Sequence, residues 1–129
     1  MGLKLKISFF IPHIFEGMNE IITAAKKNRF AYNDMKKKNH LICAAVFLKN
    51  KTKFTKPVMI KYNWFEKHKR RDLDNIAAAK KFINDSLVKC GILQDDSYRY
   101  VKGFTDSFHY EKGKTGVEIE IIEILNQEC

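Results

Sequence analysis

Ile76, Ala79, Phe82, Ile83, Leu87 and Cys90 recur at helical spacing through the stretch Asp72–Lys89, and Gly91 stands where a C-terminal cap belongs. β-rich runs flank this amphipathic helix, so the chain must build a sheet with at least one helix packed on it. The run before it, Val58 to Phe65, opens at Pro57. After it, past the turn Gln94-Asp95-Asp96-Ser97, come two strand candidates at about Tyr98–Tyr110 and Val117–Leu125. In the second, Val117, Ile119 and Ile121 alternate with Glu118 and Glu120, the period of a half-buried strand. Lys112–Gly116, with two glycines, reads as the loop of a hairpin between them.

Upstream, Leu3, Leu5, Ile7, Phe9 and Ile11 alternate with Lys4, Lys6, Ser8 and Phe10 as a further half-buried strand. Pro12–Asn19 reads as irregular. A helix is expected over about Asn19–Asn28, with Ile21, Ile22 and Ala25 inward. Another is expected over about Phe30–Phe47, with Tyr32, Met35, Leu41, Ile42, Ala45 and Val46 on its apolar side. Asn39 and His40 interrupt its middle, so this stretch reads as one helix, two helices, or a helix followed by a strand. Lys49–Lys56 reads as a loop. The order strand, helices, strand, helix, two strands suits an α+β fold, with a mixed, mainly antiparallel sheet covered by helices. At 129 residues the expectation is one domain over 1–129.

Composition narrows the class. The chain is 45% hydrophobic and 12% aromatic, which excludes a disordered tail. No apolar run approaches the roughly 20 residues a membrane span needs. Pro12 and His13 interrupt the apolar N-terminus and no small-residue cleavage site follows, so the start reads as a folded strand and not a secretory signal. Lys6 is wrong for a myristoylation signal. The 3 cysteines (Cys43, Cys90 and Cys129) form no CxxC pair, and the histidines show no HxxxH spacing. A disulfide framework or a structural zinc site is therefore not expected, and a cytoplasmic setting is.

The formal charge is +9, and its distribution says more than its total. Lys26–Arg71 holds 15 basic and 2 acidic side chains, net +13, whereas the rest of the chain is net −4. Three clusters carry it: Lys36-Lys37-Lys38; Lys49, Lys51, Lys53 and Lys56; and Lys67, Lys69, Arg70 and Arg71. Such a field attracts a polyanion, nucleic acid before anionic lipid, although a lysine-rich surface that only aids solubility has the same composition.

Against this background the carboxylates of Arg70–Ser97 stand out. Asp72 and Asp74 flank the start of the expected helix, Asp95 and Asp96 lie in the turn after it, and Asp85 lies within it. On a continuous helix Asp74, Ala78, Lys81 and Asp85 share one face, because seven residues turn about 700°. Ordinary roles exist for each: a cap at Asp74, a favourable dipole contact at Asp72, an i,i+4 pair between Lys81 and Asp85, a plain turn at Asp95-Asp96. Together they leave unexplained why a chain suited to phosphate carries four carboxylates at the boundaries of one helix. Clustered carboxylates are tolerable where a divalent cation neutralises them, and oxygen-only donors select Mg²⁺ or Mn²⁺. That is the chemistry of metal-dependent phosphodiester cleavage.

Asp72-Leu73-Asp74-Asn75, Lys81 with Asp85 four residues later, Gly91 and Asp95-Asp96, preceded by Lys69-Arg70-Arg71, resemble the signature of the RusA Holliday junction resolvases. Met18-Asn19-Glu20 is similar to that family's early Asn-containing motif. One departure stands out: the family lysine three residues after the Asn is Ala78 here, and Lys81 lies six after Asn75. The resemblance implies a RusA-like fold and a small, cytoplasmic, homodimeric hydrolase of the kind found in bacteria and their phages. Its activity would be Mg²⁺-dependent endonucleolytic cleavage of branched DNA, resolving four-way junctions by paired nicks in recombination and repair.

Carried over, Asp72, Asp74 and Asp96 are the catalytic carboxylates and, with Asp95, the Mg²⁺ ligands. Lys81 is a catalytic lysine that balances charge near the scissile phosphate. Asn75 holds a carboxylate or a water and stands with Lys69, Arg70 and Arg71, which grip DNA, among the DNA-binding residues; the lysines from 36 to 56, Lys36, Lys37 and Lys38 first, extend the track. Trp64 and Phe65 lie in a strand and read first as core, with base stacking as the lesser alternative. A non-catalytic nucleic-acid-binding protein and a metal nuclease for other branched substrates are the rivals.

Overall fold

The computed structural model of the chain describes residues 4–124. Four strands and four helices follow in the order β1 (Lys6–Ile11), α1 (Met18–Lys27), α2 (Arg29–Phe47), β2 (Val58–Phe65), α3 (Leu73–Ala77), α4 (Lys80–Lys89), β3 (Val101–His109) and β4 (Gly116–Glu123). The sheet order is β1-β4-β2-β3, antiparallel at β1–β4 and β4–β2 and parallel at β2–β3. The fold is therefore α+β with a mixed, mainly antiparallel sheet, as the element order predicts. Among the described residues no helix is long and apolar enough to cross a membrane.

Alternation decides which side of the sheet is covered. Ile7, Phe9 and Ile11 of β1 pair with Ile121, Ile119 and Val117 of β4, which in turn face Ile60, Tyr62 and Trp64 of β2. All nine are buried. Helices α2 and α4 close over them: Phe47 meets Phe9 edge-on with centroids 4.8 Å apart, and the Tyr62 hydroxyl donates to Asn84 Oδ1. The other face of the sheet carries polar pairs such as Lys6–Glu120 and Asn63–Glu118.

Four local expectations change. β3 and β4 are not a hairpin, because β2 lies between them. β3 is polar in its middle (Thr105, Asp106, Ser107) and takes the edge, whereas the apolar faces of β4 satisfy two neighbours. β3 also starts later than Tyr98, and the expected end of β4 at Leu125 lies outside the described residues, as do Leu3 and Cys129. α2 runs unbroken through Asn39 and His40, but its buried residues are Asn39, Cys43, Ala44 and Phe47, while Leu41 is 70% exposed and Ala45 faces out. In α1 no residue is buried, and Ile22 and Ala25 point to solvent.

A fifth change matters for the site. The expected single helix over Asp72–Lys89 is two segments joined at Ala78 and Ala79. Both joint residues keep αR torsions, but the N–H groups of Ala79, Lys81 and Phe82 bond three residues back. A 3₁₀ turn rotates about 20° more per residue than an α turn, so Asp74 leaves the meridian that Lys81 and Asp85 share. The buried stripe Ile76, Ala79, Phe82, Ile83 and Leu87 survives the joint. Gly91 caps α4 as predicted, with φ +79°; its N–H reaches Val88 O and that of Ile92 reaches Leu87 O at 3.0 Å, a Schellman arrangement.

Candidate nucleic-acid and metal site

The site begins where β2 ends. Glu66 follows the last strand residue and is 5% exposed, an expensive place for a carboxylate alone. Arg71 answers it with two parallel bonds, Nε to Oε1 at 3.1 Å and Nη2 to Oε2 at 2.9 Å, and gives Nη1 to the Phe15 carbonyl at 3.1 Å. Arg71 is thus spent inside the protein, which corrects its expected role as a DNA grip. The clamp closes the loop Glu66–Arg71 and leaves Lys67, His68, Lys69 and Arg70 exposed on its outside.

Directly after the clamp, Asp72 is the N-cap residue of α3 without making a capping bond, and Asp74 sits in its first turn. Both are exposed, and neither has an ion-pair partner among the described residues. Asn75 turns the other way: its Oδ1 accepts the Asn19 N–H at 3.1 Å. Asn75 therefore holds backbone, and its bond joins the early motif Met18-Asn19-Glu20 to the Asp72–Asn75 motif. The approach is close enough that a Cβ on Gly17 would lie 2.5 Å from Asn75 Oδ1 and 2.9 Å from Arg71 Nη1. The Gly17 N–H is in turn held by Glu20 at 2.8 Å.

Lys38 completes this end of the molecule from α2. It pairs with Glu16, which also accepts from Asn39 Nδ2 at 2.9 Å. Partial burial alone pushes the Glu16 carboxyl up, but the bonds from Lys38, Asn39 and its own backbone hold it below the usual carboxylate range. Burial pulls the nearby His13 imidazole below its ordinary value, with Lys38 adding to the effect and Glu16 opposing it. Lys37 is exposed, and Lys36 lies over the Tyr32 ring at 5.4 Å. Of the expected phosphate contacts, Arg70 and Lys37 are exposed, Lys69 is exposed and lies over the Tyr110 ring at 5.4 Å, and Lys36 and Lys38 have internal partners.

Asp95 and Asp96 are elsewhere. Because β2 and β3 are parallel, α3 and α4 must carry the chain from the Phe65 end of β2 back to the start of β3. Asp72 and Asp74 lie at the first end; Asp95 and Asp96 precede Tyr100, whose carbonyl accepts from Val58 at the start of β2. β2 itself spans roughly 23 Å at about 3.3 Å per residue, and the two carboxylate pairs follow its opposite ends. Among the described residues no three His, Cys, Asp or Glu side chains group around a common point. The expectation that Asp72, Asp74, Asp95 and Asp96 meet in one chain is therefore not met. Asp95 instead accepts the Asp96 N–H at 2.7 Å in an exposed turn.

Lys81 is exposed and reaches Asp85 at 3.3 Å, the plain i,i+4 pair. Its neighbour Lys80 is the inward lysine, 2.6 Å from Asp106 and 4.8 Å from the Phe104 centroid, and Asp106 also accepts from Trp64 Nε1. Trp64 and Phe65 are buried, so neither offers a free ring. Sequence reading missed Glu66, Gly17 and Glu16. For Glu66 a signal was present: it is one of only two acids in the +13 stretch and lies five residues before Arg71.

What remains able to bind a cation is the Asp72–Asp74 pair. Mg²⁺ is often held by one or two carboxylates, the other positions going to waters and phosphate oxygens, so the donor set fits that ion in number and hardness. No protein-family model matches the chain, and comparison with curated proteins finds no match.

Proposed function

We propose that the chain is a cytoplasmic, Mg²⁺-dependent endodeoxyribonuclease for branched DNA, four-way junctions first, with Mn²⁺ as a substitute ion. It acts as a homodimer in which Asp72 and Asp74 of one copy work with Asp95 and Asp96 of the other. The observation that carries this reading is the position of Asp72 and Asp74, two exposed carboxylates with no ion-pair partner among the described residues, at the edge of the basic loop Lys67–Arg70. The likeness of these residues to the RusA resolvase signature supports it.

Two copies of the crossover laid antiparallel about a twofold axis bring unlike ends together at both places at once. That arrangement turns the separation of the two pairs along β2 within one chain into two equivalent sites. Asp72 and Asp74 of one copy, with Asp95 and Asp96 of the other, would hold the ion, which would supply Lewis-acid activation of a phosphate and of a water. The chain's own work is positional. Arg71 and Glu66 fix the loop, Asn75 fixes α1 against α3, and Lys69 and Arg70 take the flanking phosphates. Lys81 sits at the α4 end of the joint and must leave Asp85 to reach a phosphate.

A non-catalytic nucleic-acid-binding protein is the second reading, favoured by the distance between the two carboxylate pairs in one chain. Junction cleavage with and without Mg²⁺, on wild type and Asp74→Asn, separates them. The nuclease gives nicks only with wild type and metal, and Asp74→Asn still binds the junction. Binding that ignores Mg²⁺, with no nicked product, supports the second reading. Flaps, linear duplex and RNA in the same assay define the substrate class.

A further inference from the structure

On the sheet face away from the helices, the register sets Phe65 beside His109 of β3 and Gly116 of β4. Phe65 and His109 stack with centroids 4.7 Å apart and planes at 20°. Phe10, from β1, reaches across to meet Phe65 edge-on at 6.2 Å. Gly116 makes that reach possible: at φ +138°, a Cβ there would lie 2.9 Å from Phe10 Cζ and 2.2 Å from the Ile11 carbonyl oxygen. The Phe10 ring remains 37% exposed.

Cations sit among these rings. Lys114 Nζ is 4.1 Å from the Phe65 centroid and 5.4 Å from that of Phe10; Lys69 Nζ is 5.4 Å from that of Tyr110. Neither lysine has a carboxylate partner among the described residues. The Glu66 N–H bonds the His109 carbonyl at 3.0 Å, so the loop that carries Lys69 and leads to Asp72 is tied to the end of β3.

We infer that the exposed Phe10 ring, backed by the buried Phe65 and by His109 and bordered by Lys114, forms a subsite for an unpaired nucleotide, with Lys69 over Tyr110 on the loop that leads to Asp72. The inference rests on the nucleic-acid reading above and adds to it a place for a base outside the duplex. The exposed Phe10 ring offers a surface to a base, and the Lys114 ammonium beside it, without a carboxylate partner among the described residues, offers a contact to a phosphate. A paired base keeps its faces inside the helix stack, so only an unpaired one can use the ring. Lys69 and Lys114 act on any phosphate, whereas Phe10 acts on the single strand alone.

The test uses the intact protein in EDTA, so that it stands apart from cleavage, with a fluorescent oligothymidylate and a blunt duplex of equal length. Phe10→Leu keeps an apolar side chain over Gly116 but removes the ring. It weakens single-strand binding about tenfold, leaves duplex binding within about twofold, and Phe10→Tyr restores the former. Lys114→Ala weakens both substrates. Equal loss on both substrates with Phe10→Leu, or loss on neither, overturns the subsite. Should Phe10→Leu melt below the assay temperature, 2-aminopurine in the strand decides: quenching on wild-type protein supports stacking, and unchanged fluorescence overturns it. Because the assay in EDTA reads binding without cleavage, failure of the nuclease reading leaves this result standing.

Discussion

Asn75 Oδ1 accepts a hydrogen bond from the backbone N–H of Asn19 at 3.1 Å, across 56 residues of sequence. The bond joins the starts of α1 and α3, and with the Arg71–Glu66 clamp it fixes the backbone from which Asp72 and Asp74 project.

Gly17 lies within the lock and has no room for a methyl group. Gly17→Ala lowers stability by about 1–3 kcal/mol, since atoms of Asn75 and Arg71 must move. Urea unfolding measures it, and cleavage by the folded fraction falls as well.

Arg71 and its neighbours part company under salt. Arg71→Met strands Glu66 in a buried position and costs about 3–5 kcal/mol, most of it recovered in the double variant with Glu66→Leu. The salt dependence of junction binding by folded Arg71→Met stays as in wild type. Lys69→Ala with Arg70→Ala leaves stability nearly unchanged and lowers the slope of log K against log salt by about 1.8.

The Glu16–His13 neighbourhood makes the fold acid-sensitive in two steps. His13 holds its proton less readily in the folded chain, so stability is full above its ordinary value of 6.5 and declines as pH falls through it. The Glu16 carboxyl is depressed, so its contribution is present above its ordinary value of 4.5 and is lost as pH falls through the lower, folded value. Urea midpoints across that range show both limbs; His13→Gln removes the upper one and Glu16→Gln the lower.

Burial pushes the Cys43 thiol up to about 12, with Cys90 acting in the same direction and the Ser86 hydrogen bond opposing. Iodoacetamide at about pH 8 therefore leaves Cys43 unmodified in the native protein and labels it once urea unfolds the chain. Peptide mass spectrometry reads the difference.

The sequence made β1, β2, β4 and the stripe of α4 legible because each buries a face with its own period. α2 was legible as a helix with Met35, Ile42 and Val46 against the core, but only in part: Leu41 and Ala45 are apolar and face water, while Asn39 is buried with Glu16, far off in the chain, as its partner. No local pattern shows such a partner. The placing of β3 and β4 was hidden too, since a glycine loop between two strands predicts a hairpin unless a third strand competes for the pairing, as β2 does here. The carboxylates were legible as a set but their geometry was not. Their distance depends on β2 and β3 being parallel, which only the assembled sheet reveals.

The assembly of carboxylates from two copies is tested most directly by mixing Asp74→Asn with Asp96→Asn protein under subunit exchange and assaying nicking of a four-way junction in Mg²⁺. Each variant alone is inactive. If the two carboxylate pairs meet between copies, the mixed dimer holds one intact site, and an equal mixture regains about a quarter of the wild-type sites. A mixture as inactive as its parents, beside active wild-type protein, contradicts the shared site.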